Sequence, residues 1–191
     1  MPPAGCQEQG TLPPDDADLA QAYDEHVWHV YGFFAYRLGT RADAEDLTQL
    51  TFERAVRAWS RFDPARSSVA TWLIAIARNL LIDHYRATGR VRLESIEADA
   101  GREPHALTID GPETDLGLSA ELEAALEQLT EREREAIALR FGADLTGPQV
   151  AEVMHLTLGN VQQILSRALR KLRAQLEAAE TAPAPQSASE R

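Results

Sequence analysis

The sequence predicts an all-α protein: two small helical domains joined by a flexible acidic linker. Three observations predict it. Apolar residues recur at steps of three and four through 18–90 and again through 120–176, and no strand alternation appears. Between them, 91–119 breaks the period with Gly101, Pro104, Gly111, Pro112 and Gly117 set among acids. The second block closes on a short helix, a tight turn and a longer helix, an arrangement suited to the DNA major groove.

In chain order, residues 1–17 are rich in Pro, Gly and Asp and read as a disordered tail. A first helix is expected from about Asp18 to Leu38, with Leu19, Tyr23, Val27, Val30, Tyr31, Phe34 and Leu38 on its apolar face; Gly39-Thr40 ends it. A second runs from about Ala42 to Ser60, with Asp43, Glu45 and Asp46 against its N-terminal dipole and Leu47, Leu50, Val56 and Trp59 buried. A third starts near Ser67 or Ser68 and runs to about Ala87, burying Val69, Trp72, Leu73, Ile76, Leu80 and Ile82. After the linker, Leu122, Ala125, Leu126 and Leu129 share one helix. Thr130 and Glu133 form a capping box for the next, which carries Ile137, Leu139 and Phe141 until Gly142 stops it. Thr146 with Gln149 is a second capping box, Pro148 lies in the first turn, and Val150, Val153 and Met154 face inward. Thr157 caps the last helix, whose stripe is Val161, Ile164, Leu165, Ala168, Leu169 and Leu172. Residues 177–191 read as a second disordered tail.

The net charge of −11 is unevenly spread. Residues 94–123 carry a net −8 and 1–20 a net −4, whereas 21–93 carry +2 and 124–176 carry +1. Local charge decides phosphate contact, so global acidity does not exclude nucleic acid. One cysteine, Cys6, excludes a disulfide framework and a cysteine zinc site. No basic-then-apolar leader and no span-length apolar run is present, which predicts a cytoplasmic protein without membrane insertion. His26 and His29 have no cysteine nearby and only Asp24 and Glu25 adjacent, and read as a solvated face, so no metal is expected. No phosphate loop or nucleophile elbow occurs; the chain reads as neither an enzyme nor a cofactor binder.

The segments Asp43–Pro64 (DAEDLTQLTFERAVRAWSRFDP) and Ser67–Arg86 (SSVATWLIAIARNLLIDHYR) resemble sigma region 2. Leu126–Arg173, from LEQLTERERE to LSRALRKLR, resembles sigma region 4. In this order, with no region 3 helices between, they resemble the extracytoplasmic-function (ECF) sigma factors of bacteria. The resemblance implies that 18–90 binds core RNA polymerase and the −10 element, and that 120–176 reads the −35 element. Implied partners are the β′ clamp helices, the β flap, promoter DNA and an anti-sigma factor. The implied core-polymerase residues are Asp43, Asp46, Gln49, Phe52, Glu53 and Arg54, expected along the exposed side of the second helix. For −10 DNA they are Arg61, Arg66, Ser67, Ser68, Thr71, Trp72, Arg78, Asn79, His84 and Arg86. Trp72 reads equally as core or as a stacking platform, whereas Phe62 reads as core. For −35 DNA they are Thr157, Gly159, Asn160, Gln162, Gln163, Ser166, Arg167, Arg170 and Lys171, amides and cations that match base edges and phosphates.

The chain departs from the family's usual pattern at five places. Leu50 stands where an acid is usual, and Ala87-Thr88-Gly89 where a basic run is usual. His155 stands for a turn glycine, and Gln162 and Ile164 for a Lys and an Arg. The acidic linker fits either a nucleic-acid mimic in the polymerase channel or a cover over the basic faces. Two other readings stay open on sequence alone: a helix-turn-helix regulator acting without being a polymerase subunit, and a decoy that occupies polymerase but reads no promoter.

Overall fold

The computed structural model describes residues 16–88 and 118–181. The expected linker and tails lie almost wholly outside the described residues. The helices are α1 (Asp16–Ala35), α2 (Arg41–Ala58), α3 (Val69–Ala87), α4 (Ala120–Glu127), α5 (Glu131–Ile137), α6 (Gly147–Met154) and α7 (Leu158–Thr181). A 3-10 turn follows α2 at Trp59–Arg61, and a π-helical turn follows α5 at Ala138–Gly142. Among the described residues there is no strand, as the apolar periodicity predicts.

In the N-terminal block, Thr40 Oγ1 accepts the Asp43 N–H at 3.2 Å, and Ser68 Oγ accepts that of Thr71 at 3.1 Å. These bonds fix the starts of α2 and α3. Phe33, Phe34, Leu73 and Ile74 are fully buried where α1 and α3 meet. The buried face of α2 is Ala44, Leu47, Thr48, Thr51, Phe52 and Ala55. This corrects the expectation of Leu50 and Val56, which are exposed. Threonines hold the buried positions because the Thr48 and Thr51 hydroxyls donate to Ala44 O and Leu47 O at 2.7 Å each, which satisfies them locally.

In the C-terminal block both expected capping boxes form. Glu133 Oε2 accepts from Thr130 N at 3.0 Å, and Gln149 Oε1 accepts from Thr146 N at 2.8 Å. Arg134 is buried and donates to Leu126 O and Glu127 O at 3.1 Å each, closing the carbonyl end of α4. The second half of α7 packs Ala168 and Leu172 on Ala125, Leu126, Leu129 and Ile137. Phe141 and Leu169, expected inside, are exposed. α7 also runs on to Thr181, five residues past its expected end at Leu176, because no Gly or Pro interrupts it.

The two blocks are not separate bodies. Ala138, Leu139, Ala143, Leu145 and Val150 belong to one buried cluster with Val30, Phe33, Phe34 and Leu38 of α1. Two glycines make the close approach. A Cβ on Gly142 would stand 2.5 Å from Gly32 O, and one on Gly32 would strike the Gly142 carbonyl. Gly32 sits inside α1, where glycine costs about 1 kcal/mol against alanine, so the position is kept open for the other block.

Glu133 also ties α5 to α7. Its carboxylate accepts from Lys171 Nζ at 2.7 Å. Burial opposes its charge, but the bonds from Lys171 and Thr130 outweigh burial and hold the carboxyl below its usual 4.5. A lowered carboxyl stabilises the fold above its unfolded value, and that contribution fades as pH falls through the folded value. Glu133→Gln is therefore expected to melt below wild type near neutrality, with the gap closing under pH 4.5. Paired thermal melts across that range check it; a gap of constant size would contradict the assignment.

Candidate nucleic-acid interface

The helix-turn-helix is α6, a turn and the start of α7. His155 adopts the left-handed conformation at φ 54° and ψ 44°, as its place in the turn requires. Its N–H donates to Glu152 O at 3.2 Å, and that of Leu156 to Ala151 O at 2.9 Å, closing α6. Thr157 Oγ1 accepts the Asn160 N–H at 3.3 Å and starts α7. Val161 is fully buried against α6, which sets the roll of α7. Thr157, Gly159, Asn160, Gln162, Gln163, Ser166, Arg167 and Arg170 are all exposed. Arg170 Nε donates to Ser166 O at 3.3 Å, which leans it along the helix. Lys171 departs from the expected set: its ammonium is held by Glu133 rather than left for phosphate.

On α2 the expected polymerase-facing row is narrower than its sequence suggests. Asp46, Gln49 and Glu53 are exposed, and Gln49 Nε2 reaches Glu53 at 3.4 Å. Phe52 is buried, with its ring edge-on to Tyr23 at 4.8 Å, so it is a core residue rather than a surface contact. Asp43 is half-buried in the cap, accepting from the Thr40 hydroxyl at 2.7 Å. Arg54 turns toward α3 and pairs with Asp83 at 3.7 Å. Beside the row, α1 and α2 open a groove of about 750 Å³ lined by Tyr23, Val27, Trp28, Tyr31, Phe52 and Val56. Trp28 is 75% exposed there. Sequence reading missed Trp28; the available signal was a large aromatic lying off the apolar stripe of its helix.

The ten expected −10 residues divide. Arg61, Arg66, Asn79 and Arg86 are exposed, with Arg86 3.7 Å from Asp83. Ser67 is half-buried at the loop's end. Thr71 is buried, with its hydroxyl 2.9 Å from that of Ser68, and so belongs to the α3 cap rather than the surface. His84 Nε2 is enclosed. Trp72 is half-buried in a cluster with Trp59 and Phe62, ring centroids 5.7 and 5.1 Å away, and Phe62 is core as expected. Ser68 and Arg78 are engaged by the other block: Gln149 donates to Ser68 Oγ at 3.2 Å, and Arg78 Nε donates to Glu135 at 2.6 Å. Among the described residues no group of three or more metal-ligating side chains exists, and no helix is long and apolar enough to cross a membrane.

The model of the family described as Sigma-70 region 2 matches residues 22–91, and that of Sigma-70, region 4 matches 125–174. The chain is 34% identical over 158 residues to the ECF RNA polymerase sigma factor BldN of Streptomyces coelicolor, covering 81% of this chain and 58% of that protein. The match thus spans less than two thirds of that relative's length. Against the ECF RNA polymerase sigma factor SigC of Mycobacterium tuberculosis it is 36% identical over 159 residues, covering 82% of this chain and 80% of that one. Its fold is similar to the sigma factor RpoE solved with the anti-sigma factor NepR from Bartonella quintana. That likeness has a TM-score of 0.64 at 24% identity and covers 84% of this chain and 97% of that one.

Proposed function

Because the chain belongs to the ECF RNA polymerase sigma factors, we propose that it binds core RNA polymerase and directs promoter-specific initiation. In this reading residues 18–90 and 120–176 are the two working domains. α7 reads the −35 element through Asn160, Gln162, Gln163, Ser166, Arg167 and Arg170. The N-terminal block opens the −10 element, with Arg61, Arg66, Asn79 and Arg86 on the displaced strand and Trp72 as a partly open stacking surface. Asp46, Gln49 and Glu53 meet the polymerase clamp. The protein works in the cytoplasm as a binding subunit, and an anti-sigma protein holds it when idle.

The observation that carries this reading is the exposed amide-and-cation row on α7, set by a helix-turn-helix whose inner face is buried. Gln162 suits the reading despite its missing charge, since an amide can pair bidentately with adenine. Strand opening needs no catalytic group: unstacking costs a few kcal/mol and each stacked base returns about 1–3 kcal/mol. Run-off transcription with purified core polymerase and a promoter library tests the proposal. Core plus this chain is expected to give discrete transcripts that core alone does not. Correctly folded protein that yields none on any template would overturn it.

A further inference from the structure

The seam between the two blocks occupies two residues, Ser68 and Arg78, that the resemblance to sigma region 2 places on −10 DNA. Arg78 on α3 is salt-bridged at 2.6 Å to Glu135 of α5, and both side chains are largely shielded. Ser68, at the start of the same helix, takes a hydrogen bond from Gln149 of α6 at 3.2 Å. A third tie lies across the seam. Arg37, at the end of α1, donates to Glu131 Oε2 at 2.7 Å and to Glu131 O at 3.2 Å, with only 7% of its side chain exposed. Tyr85 of α3 donates to Arg37 O at 2.7 Å and its ring faces the guanidinium, so α1, α3 and α5 meet at one point. Under these ties the Gly32–Gly142 contact brings the two backbones together.

We propose that this chain closes on itself without a partner, and that region 4 thereby covers part of the single-strand surface of region 2. The Glu135 carboxylate stands in for a DNA phosphate on Arg78. Carboxylate and phosphate both present paired anionic oxygens to a guanidinium, so one excludes the other. Opening the seam releases Arg78 and Ser68 together, because both are held from the same short stretch of the C-terminal block. The masking rests on the nucleic-acid reading of the N-terminal block; the closure rests on the contacts alone.

Gly32→Ala is the test. Alanine favours α1 itself, yet its methyl strikes the Gly142 carbonyl, so the seam must part while each block keeps its helices. The full chain and the variant are compared by circular dichroism, by X-ray scattering, and by binding to a labelled single-stranded DNA of mixed sequence without polymerase. Binding by a form only fractionally populated is weakened by that fraction. The variant is expected to keep its helicity, show a larger radius of gyration and bind the strand about tenfold tighter. Arg78→Ala in the Gly32→Ala background is expected to remove most of that gain. An unchanged radius, a larger radius without tighter binding, or a gain that survives Arg78→Ala would each overturn the proposal. Should Gly32→Ala lose helicity, Glu135→Arg, which sets like charge against Arg78, takes the same measurements. Run-off transcription separates this proposal from the polymerase role. A wild type that initiates while the variants stay closed removes the latch alone. An opened, tighter-binding variant with no initiation keeps the latch and removes the role.

Discussion

Leu139→Ala is expected to lower stability by about 2–5 kcal/mol, the range for emptying a fully buried leucine site. The diagnostic part is where the loss is felt. Leu139 belongs to the C-terminal block by sequence but is fully buried in the cluster that contains Phe33, Phe34 and Leu73. The three tryptophans, Trp28, Trp59 and Trp72, all lie in the N-terminal block. Their fluorescence therefore reports unfolding of the block that the mutation does not touch in sequence. In urea, the tryptophan transition of the variant is expected to move to lower denaturant, together with the loss of helix by circular dichroism. If the blocks unfold independently, the tryptophan midpoint stays at its wild-type value and only part of the helical signal shifts. That result would reject the shared core as a source of stability.

The same contrast shows what was legible in the sequence. Elements whose evidence is local were readable: the helices and three of their caps follow from spacing and from side chains within four residues, whereas the turn at His155 was indicated only by the family resemblance. α2 shows the limit of the apolar count. Ala44, Thr48, Thr51 and Ala55 carry its buried stripe but weigh little on a hydrophobic scale, while Leu50 and Val56 weigh more and face out. A threonine that satisfies its own hydroxyl one turn back can be buried at low cost, and composition does not reveal that it has done so. Phe52 then lands inside, where a charged neighbourhood of Glu53 and Arg54 suggested the surface. Charged groups also hide their partners from the sequence. Arg37 is shielded across the seam by Glu131, whereas Arg134 and Glu133 are buried by contacts to α4 and α7 inside the C-terminal block. The seam itself left the weakest trace, two glycines 110 positions apart whose only property is lacking a Cβ. Of the candidate interface, the α7 row is exposed almost throughout, because an exposed face is the complement of a strong apolar stripe. The −10 set fragmented because capping and interblock pairing claim hydroxyl and guanidinium groups that base contact would also use.

The second large effect is expected on α7. Arg167 and Arg170 are exposed on the face opposite the buried Val161, Ala168 and Leu172, and neither is salt-bridged among the described residues. A groove contact of this kind is worth about 1–3 kcal/mol. The two residues lie three apart on one helix, within reach of the same stretch of duplex. Losing both is expected to weaken −35 binding by about 2–6 kcal/mol if their contributions add. Because Lys171 is held by Glu133 and the family's Lys and Arg are Gln162 and Ile164 here, few other cations on this face share the load. The remaining affinity should also depend less on salt, since each lost phosphate contact removes about one unit of the salt slope. Footprinting of the polymerase complex, with titrations at several salt concentrations, measures both quantities. Arg167→Ala/Arg170→Ala protein with unchanged −35 protection and an unchanged slope would reject α7 as the reading helix. Loss of protection with the slope retained would assign the two arginines to base edges rather than to phosphate.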